Sequence, residues 1–354
     1  MAEQANNYDE MEIDVLCVGH ASYDLVFPVD HHPGADEKCF AAGMVSCGGG
    51  PAANAAVTVA RLGGTAAFAG YLGRDVFGAM HFEELVSEGV ITDLVVRGKK
   101  AIASTYPGAG LAERAGPGAT PLSSILVKPD GKRTVVTYKG STPVLEPGEV
   151  DFTRVRPGAI LFDGHQPAIS LPLAMKAKGQ KIPAILDAGS VHKGTIELAP
   201  LCGYLVASEK FARDLSKQKD PGKALECLAK IAPVAVITLG EAGLVWAAGR
   251  RGPDLDAPRD GRAQQGSGSM RAFPVDTVDT TGAGDIFHGA FALRIAAGDG
   301  LPSALRYASA AAALGCSKMG ARAGIPFRAD VESLLRRDKN FPREAAKSLR
   351  KEKE

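Results

Sequence analysis

The sequence predicts an α/β fold built on a mostly parallel sheet, with a small antiparallel piece beside it. Short apolar runs alternate with helical segments along most of the chain, which is the pattern of a parallel sheet with crossover helices. Inside that pattern lies a hairpin signal, in which two apolar runs flank an Asp-Gly turn. The chain has 354 residues, of which 45% are hydrophobic, so it is long enough to bury a sizeable core.

The alternation begins close to the N-terminus. Residues 1–11 are polar and acidic and are predicted to form a disordered leader. The first elements are a strand at 15–19, a helix at 52–62, a strand at 66–70 and a helix at 77–88. Both strands are short apolar runs that end at a glycine, and the second helix stops at Gly89.

The hairpin occupies residues 124–138, and the alternation resumes after it. Residues 107–121 precede the hairpin. They are rich in Gly, Ala and Pro and are predicted to form a loop. Three further buried strands are predicted, at 159–163, 184–187 and 235–240. Each ends at a polar or glycine residue, which matters because ligands of open α/β sheets bind outside the carboxyl ends of the strands.

Two later segments are too polar to join the core. Residues 249–270 are predicted to form a long exposed loop, and residues 339–354 a charged tail. The folded domain is therefore expected to span residues 12–338.

The charge balance and the apolar pattern argue against several classes of protein. Lys and Arg number 41 against 40 Asp and Glu, so a broad basic surface for nucleic acid is not expected. No stretch reaches about 18 apolar residues, so no membrane span is expected, and the N-terminus does not resemble a signal peptide. The six cysteines form no C-x-x-C pair and are predicted to be reduced thiols of a cytoplasmic protein.

The strongest constellation is the sequence DTTGAGD at residues 279–285, which a helical run follows. Glycines before a helix let backbone N–H groups converge, and the helix N-terminus adds partial positive charge, so an anion site is expected. Asp285 has two interpretations. It is either a favourable charge at a helix N-terminus, or a carboxylate that takes a proton from a hydroxyl attacking a bound phosphate.

A second glycine-rich turn, GGGPAAN at residues 48–54, also has two interpretations. It matches a degenerate dinucleotide fingerprint, but that fingerprint normally follows the first strand and has an acidic partner about 20 residues on, which is not evident here. The alternative function of an NAD-dependent oxidoreductase has no support in the sequence other than this degenerate match. Alternatively the turn admits a polyhydroxylated ligand, and Asn54 offers a donor and an acceptor to sugar hydroxyls. A helix cap is the structural alternative for Asn54.

Other phosphate and metal motifs are missing from the sequence. It contains no G-x-x-x-x-G-K-[ST] and no protein-kinase motif set. His20, His165, His192 and His288 are scattered without metal-ligand spacing and are interpreted as ordinary polar or helix residues. Of these, only His165 is a candidate for a substrate contact.

Two long motifs resemble the signatures of the ribokinase-like (PfkB) carbohydrate kinases. The first signature resembles residues 48–54 through 72–78, and the second resembles residues 279–285 with the helix that follows. Residues 236–243 resemble the nucleotide-side strand and turn of the family. The resemblance runs from about residue 15 to residue 326, which is nearly the whole expected domain.

The resemblance implies a doubly wound, mostly parallel sheet with a small antiparallel β lid, built here from about residues 20–47 and 101–145. The implied reaction transfers the γ-phosphoryl group of ATP to a sugar hydroxyl, with Mg²⁺ accompanying ATP. Such reactions need positioning and charge stabilisation more than covalent help.

The resemblance also assigns roles to individual residues. Asp285 would be the base, and the N–H groups of Gly282, Ala283 and Gly284 the anion hole. The acceptor would contact Asp24, Gly49, Gly50 and Asn54, and the nucleotide would contact Ser208, Glu209, Thr238, Gly240 and Gly243. Asp279 and Thr281 match the start of a loop for a monovalent cation such as K⁺, which residues 321–324 would complete.

One departure from the family lies at residues 205–211. Many members carry Asn-x-x-Glu there, which organises Mg²⁺ and phosphate, whereas this chain has Ser208 and Phe211 in those two places. Glu209 would have to compensate through water.

The motifs of this chain resemble those of sulfofructose kinases most closely, and the comparison guides the prediction of the acceptor. Lys38 falls where that group has a lysine that contacts the sulfonate, whereas Thr137 and His165 replace its Asn and Arg. Without the arginine the bidentate contact to an anion is lost. The expected acceptor is therefore a ketose or pentose, including one that bears an anionic group near Lys38.

The sequence leaves two alternative functions open and also predicts an oligomeric state. A nucleoside kinase of the same family would need an aromatic lid, and residues 20–47 offer only Tyr23, Phe27 and Phe40. A non-catalytic nucleotide- or sugar-binding protein would not need the intact Asp285. The exposed strand edges of a small lid predict a homodimer through the lid.

Overall fold

The computed structural model describes residues 10–98, 118–139, 142–249 and 266–338. In chain order the strands are β1 Met11–Gly19, β2 Ser22–Pro28, β3 Val45–Gly49, β4 Ala66–Leu72, β5 Val95–Arg97, β6 Leu122–Val127, β7 Arg133–Tyr138, β8 Val155–Phe162, β9 Ala184–Ala188, β10 Tyr204–Ser208, β11 Val234–Thr238, β12 Leu244–Ala248 and β13 Gly266–Met270. The helices are α1 Pro51–Arg61, α2 Val76–Ser87, α3 Pro167–Gln180, α4 Lys193–Leu198, α5 Glu209–Ser216, α6 Pro221–Leu228, α7 Ala283–Ala296, α8 Leu301–Gly315, α9 Ala321–Gly324 and α10 Arg328–Arg337.

The central sheet has helices on both faces, as the doubly wound prediction requires. Its order is β13-β12-β11-β10-β9-β8-β1-β4-β5, and only β12 and β13 run antiparallel to their neighbours. One core packs α1, α7, α8 and α10 against the sheet, and a second core packs α3 to α6 against its other face. Strands β4 and β9 are buried throughout, which is why their sequences are apolar apart from Asp187 near the end of β9.

Helices α1 and α7 approach each other closely, and this contact positions the site. A Cβ at Gly289 would lie 2.6 Å from the carbonyl oxygen of Ala55, so only glycine permits the approach. The contact brings the first turns of the two helices together above the sheet.

The lid is a separate sheet with the order β3-β2-β6-β7. The predicted hairpin is its β6–β7 pair, which is antiparallel, as is β2–β3, whereas β2 and β6 run parallel. Val26, Ile125 and Val127 form a small core beneath it. Strand β7 is exposed along its whole length.

Two sequence predictions need correction. Met11 belongs to β1 rather than to a disordered leader, and residues 266–270 of the predicted loop form the edge strand β13. The GSGSM sequence of β13 has no apolar alternation, so it carries no strand signal. The strand forms because Gly268 lies flat against Trp246, where a Cβ would be 2.9 Å from the indole nitrogen. Residues 1–9, 99–117, 140–141, 250–265 and 339–354 lie outside the described part of the chain.

None of the described helices is both long enough and apolar enough to cross a membrane.

Candidate active site

Asp285 lies in the first turn of α7, as the sequence predicts. Gly282 precedes the helix with φ 77°, and a Cβ there would lie 2.7 Å from that of Ala321, so this turn needs glycine. At Gly284 a Cβ would meet no atom within 4 Å. The space in front of this turn is therefore open to a ligand.

The three predicted anion-hole donors are not equally free. The Ala283 N–H donates to the Thr280 carbonyl at 3.3 Å, which is long for a hydrogen bond. The described backbone hydrogen bonds outside regular elements include none from Gly282 or Gly284. Those two N–H groups are the better placed donors.

Asn54 contacts the predicted base directly. Its Nδ2 donates to Asp285 Oδ2 at 2.7 Å, across 231 residues of sequence. Its Oδ1 is buried and has no partner within the described residues, so it can accept from a ligand hydroxyl. The interpretation of Asn54 as a helix cap is wrong, since α1 has no side-chain cap and begins with Pro51 at its first turn.

Asp24 lies on β2 with its carboxylate against the glycine-rich turn. Ser22 Oγ donates to Asp24 Oδ1 at 3.0 Å, and a Cβ at Gly49 would lie 2.2 Å from Asp24 Oδ2. Gly49 is therefore needed for the carboxylate to fit. Burial raises the pKa of Asp24, and the bonds from Ser22 and Ser123 oppose that shift.

Acidic neighbours and burial adjust the proton affinity of the base. Burial raises the pKa of Asp285 to about 7, the Asp187 carboxyl adds to the rise, and the Asn54 hydrogen bond opposes it. Asp187 itself is buried, which raises its pKa to about 8, and it lies 3.3 Å from His288 Nδ1. A carboxyl with a pKa near neutrality is suited to general base catalysis at physiological pH.

Asp163, directly after β8, is a site residue that the sequence analysis missed. Its carboxylate accepts N–H groups from His20 at 2.7 Å, Ala52 at 3.3 Å and His165 at 2.9 Å. A Cβ at Gly19 would lie 2.0 Å from Asp163 Oδ1. The carboxylate thus ties its own loop to the loop after β1 and to the first turn of α1, and the one sequence signal was its place at a strand end.

On the predicted nucleotide side, Ser208 and Glu209 begin α5. Ser208 Oγ accepts from the Phe211 N–H at 3.0 Å and donates to the Gly189 carbonyl at 2.9 Å, so it caps the helix. Phe211 is fully buried and fills the core. Of Ser208 and Glu209, only Glu209 is exposed, so only its side chain is open to a ligand.

The other predicted nucleotide residues surround the turn after β11. Thr238 ends that strand, and its Oγ1 donates to the Ala207 carbonyl at 3.4 Å. Gly240 and Gly243 adopt φ 58° and 93°, and a Cβ at Gly243 would lie 2.0 Å from the Met270 carbonyl oxygen. Gly243 therefore fits the turn closely against the end of β13, whereas a Cβ at Gly240 would meet no atom within 4 Å.

The predicted cation residues form a closed local network. Asp279 Oδ1 accepts from the N–H and hydroxyl of Thr281, and Oδ2 accepts from the Gly320 N–H at 2.8 Å. Asp279 thereby ties the DTTGAGD turn to the start of α9. No group of three His, Cys, Asp or Glu side chains that could hold a metal ion occurs in the described ranges.

Three further predicted acceptor contacts lie on different elements. Lys38 is exposed on the lid, with Nζ 5.0 Å from the centre of the Phe40 ring. Thr137 is exposed on β7, 3.2 Å from Ser123 Oγ. His165 follows Asp163, and its ring stacks on His192 with centroids 4.8 Å apart.

A buried carboxylate beside an open, glycine-rich helix start in a doubly wound fold suits the transfer of a phosphoryl group to a hydroxyl. A family model described as pfkB family carbohydrate kinase matches residues 12–107 and 118–328, and the chain belongs to that family. It is an ATP-dependent sugar kinase, with an alcohol group as the acceptor. The resemblance that the two sequence signatures indicate is thereby confirmed.

Curated relatives match over most of their length. The ribokinase of Bacillus subtilis is 28% identical over 334 residues, which cover 91% of this chain and 99% of the relative. Fructokinase-2 of Zea mays is 27% identical over 325 residues, covering 83% and 86%.

Solved structures share the fold. A putative ribokinase from Agrobacterium tumefaciens has a TM-score of 0.73 and 29% identity, covering 92% of this chain and 98% of that one. Arabidopsis thaliana ribokinase complexed with ribose and ATP has a TM-score of 0.70 and 22% identity, covering 94% and 100%. In the present chain the glycine run follows β3 of the lid rather than β1, so it is not placed like a dinucleotide fingerprint.

Proposed function

We propose that the enzyme transfers the γ-phosphoryl group of ATP to a hydroxyl of a small ketose or pentose, including one with an anionic group. The observation that carries this proposal is the contact of Asn54 with Asp285 beside the open turn at Gly284. In this proposal, the amide that binds a hydroxyl, the carboxylate that accepts a proton and the backbone N–H groups surround one space. The complex of Arabidopsis ribokinase with ribose and ATP supports a pentose or a similar acceptor.

The residues divide the reaction between them. Asp24 and Asn54 hold acceptor hydroxyls, and Asp285 takes the proton of the hydroxyl whose oxygen attacks the γ-phosphorus. The N–H groups of Gly282 and Gly284, with the start of α7, stabilise the charge on the transferred group as ADP leaves. When bound, Mg²⁺ would neutralise phosphate charge, with Glu209 orienting its waters.

An ATP-consumption screen tests the proposal. The acceptors are fructose, fructose phosphates, ribose, sulfofructose, 2-keto-3-deoxygluconate and adenosine. We expect turnover with at least one sugar. Turnover with adenosine alone would favour a nucleoside kinase. A Methanocaldococcus jannaschii nucleoside kinase shares the fold of this chain, at 18% identity and a TM-score of 0.69. Nucleotide binding without any turnover would favour the non-catalytic alternative.

The pH dependence of kcat/KM should follow the base. Since Asp285 must be deprotonated to accept a proton and burial raises its pKa to about 7, kcat/KM should rise with pH through about 7. Asn54→Ala removes a hydrogen bond that favours the carboxylate, so the rise should move to higher pH. A rise centred below pH 5 in the wild type would contradict the assignment of the base.

Lys38 should contribute to the binding of an anionic acceptor once the lid closes. A charge-assisted contact is worth roughly 1.5–3 kcal/mol, so Lys38→Ala should raise KM about 10–100-fold for an anionic sugar. The KM for a neutral sugar should change far less. Fructose 1-phosphate and fructose form the matched pair, and equal changes for both would show that Lys38 is only a surface residue of the lid.

We expect a homodimer through the lid. Along β7 the apolar side chains of Val135 and Val136 are 47% and 67% exposed, and Phe40 nearby on the lid is 77% exposed. Pairing would cover them and the strand edge. Light scattering at micromolar concentration should give twice the 36.7 kDa mass of the chain, and a monomer mass would refute the dimer.

A cytoplasmic location and a K⁺ requirement also stay predictions.

A further inference from the structure

Three of the histidines interpreted as ordinary residues form one stack. The rings of His20 and His165 lie with centroids 5.1 Å apart, and those of His165 and His192 lie 4.8 Å apart and nearly parallel. They come from three different loops: after β1, after β8 and before α4. We refer to these three side chains as the histidine stack.

The backbone at the three histidines is held in place, while the ring nitrogens of two of them make no hydrogen bond within the described ranges. His20 and His165 both donate their backbone N–H to Asp163, and His192 begins α4. Within the described ranges the ring nitrogens of His20 and His165 make no hydrogen bond, although both side chains are partly exposed. A polar group that is held in place without a protein partner is available to a ligand.

The stack borders the acceptor side of the active site. A Cβ at Gly50 would lie 2.6 Å from the His20 carbonyl oxygen, so the glycine-rich turn packs against the backbone of His20, whose ring belongs to the stack. Asp163 also binds the Ala52 N–H, two residues before Asn54, which contacts the base. Lys139 follows the lid strand β7, and its charge acts on both His20 and His192.

The charges around the stack favour an anion. Burial, and then His165, lowers the pKa of His20 to about 4, and the same two causes lower the pKa of His192. The opposing charge is Asp163, but its carboxylate already accepts three N–H groups. The other charged or titratable neighbours are Lys139 and the buried His81, neither of which supplies a negative charge. An anion placed there would favour the protonated forms of His20 and His192, which the empty site disfavours.

We propose that His20 and His165, backed by His192 and joined by Lys139, bind an anionic group of the acceptor sugar and take up a proton when they do so. The anionic group is a phosphate, sulfonate or carboxylate. The inference rests on the proposed sugar-kinase function and assigns its substrate class. It also places the recognition of charge under the lid at the sheet edge, at residues other than Lys38.

Calorimetric titration tests the proposal on the full chain. Fructose 1-phosphate, fructose 6-phosphate, sulfofructose and fructose are each titrated at pH 7 in two buffers of different ionisation enthalpy. At least one anionic sugar should bind with uptake of roughly 0.5–1 proton, because imidazoles change charge in this range when an anion approaches. Fructose should bind with no proton uptake.

Variants locate the proton. His165→Gln keeps a hydrogen-bond donor but cannot become charged, so proton uptake should fall and the Kd for the anionic sugar should rise roughly 10–100-fold. His31→Gln is the matched control, because His31 is exposed on the lid and pairs with Glu37 away from the stack. That control should leave both quantities as in the wild type. Thermal melts confirm that each variant is folded.

The outcomes separate this inference from the proposed function. Anionic sugars that bind no more tightly than fructose, or that bind without proton uptake, would overturn the inference even if fructose is phosphorylated. Proton uptake that persists in both His165→Gln and His20→Gln would overturn it as well. A failure of every sugar to be phosphorylated, despite binding, would instead overturn the proposed function.

Discussion

Asp285→Asn should lower kcat by roughly 10²–10⁴-fold, the usual contribution of a positioned general base. The substitution keeps the size of the side chain but removes the group that accepts the proton of the attacking hydroxyl. The amide can still pack beside Asn54 at the start of α7, so the fold should be retained. The affinity for ATP should change little, because the N–H groups of the turn are unaltered.

The measurement is steady-state kinetics with the best acceptor of the screen, together with an ATP titration. Asp214→Asn is the matched control, since Asp214 is a surface residue that pairs with Lys210. It should leave kcat within about twofold of the wild type, as exposed pairs contribute little. A near wild-type kcat in Asp285→Asn would show that its carboxylate is only a favourable charge at a helix start.

Asp163→Ala should lower the free energy of unfolding by about 3–5 kcal/mol. The carboxylate accepts three backbone N–H groups, and its loss leaves each of these donors without a partner. A buried donor without a partner costs about 1–3 kcal/mol, and water entering the space would offset part of the sum. Because the donors include His20 and Ala52 in the first turn of α1, the acceptor KM should rise as well.

Denaturant unfolding measures the loss of stability, provided that the transition is reversible. Asp163→Asn serves as a second variant, since it keeps the volume but turns one acceptor into a donor that faces an N–H group. It should be destabilised nearly as much. Asp214→Ala, on the surface, should change the free energy of unfolding by less than about 0.5 kcal/mol. A loss below about 1 kcal/mol in Asp163→Ala would show that water or another group satisfies these N–H groups.

Much of the fold could be predicted because its elements have local signals. The buried strands are apolar runs that end at polar or glycine residues, and the β6–β7 hairpin is marked by its Asp-Gly turn. Strand β13 could not be predicted, since its glycines and serines have no strand pattern of their own. It forms only because β12 presents an edge and the face of Trp246.

The same distinction applies to the site. Asp285 and Asn54 were predictable as candidates, because each lies in a glycine-rich segment that opens a helix. Whether the two touch was not, since they are 231 residues apart and meet only where Gly289 lets α7 approach α1. A structural cap for Asn54 was equally compatible with the sequence until that contact was seen.

The sequence by itself determined the alternation of buried strands and helices, the glycine-rich turns and the carboxylate at the start of α7, because these depend on neighbours along the chain. Only the tertiary structure decided the backbone anchor at Asp163, the histidine stack and the raised pKa of Asp285. Each of these arises from burial and from groups far apart in sequence that the parallel sheet brings to one edge. A single carboxylate or histidine carries no trace of such partners in its own local sequence.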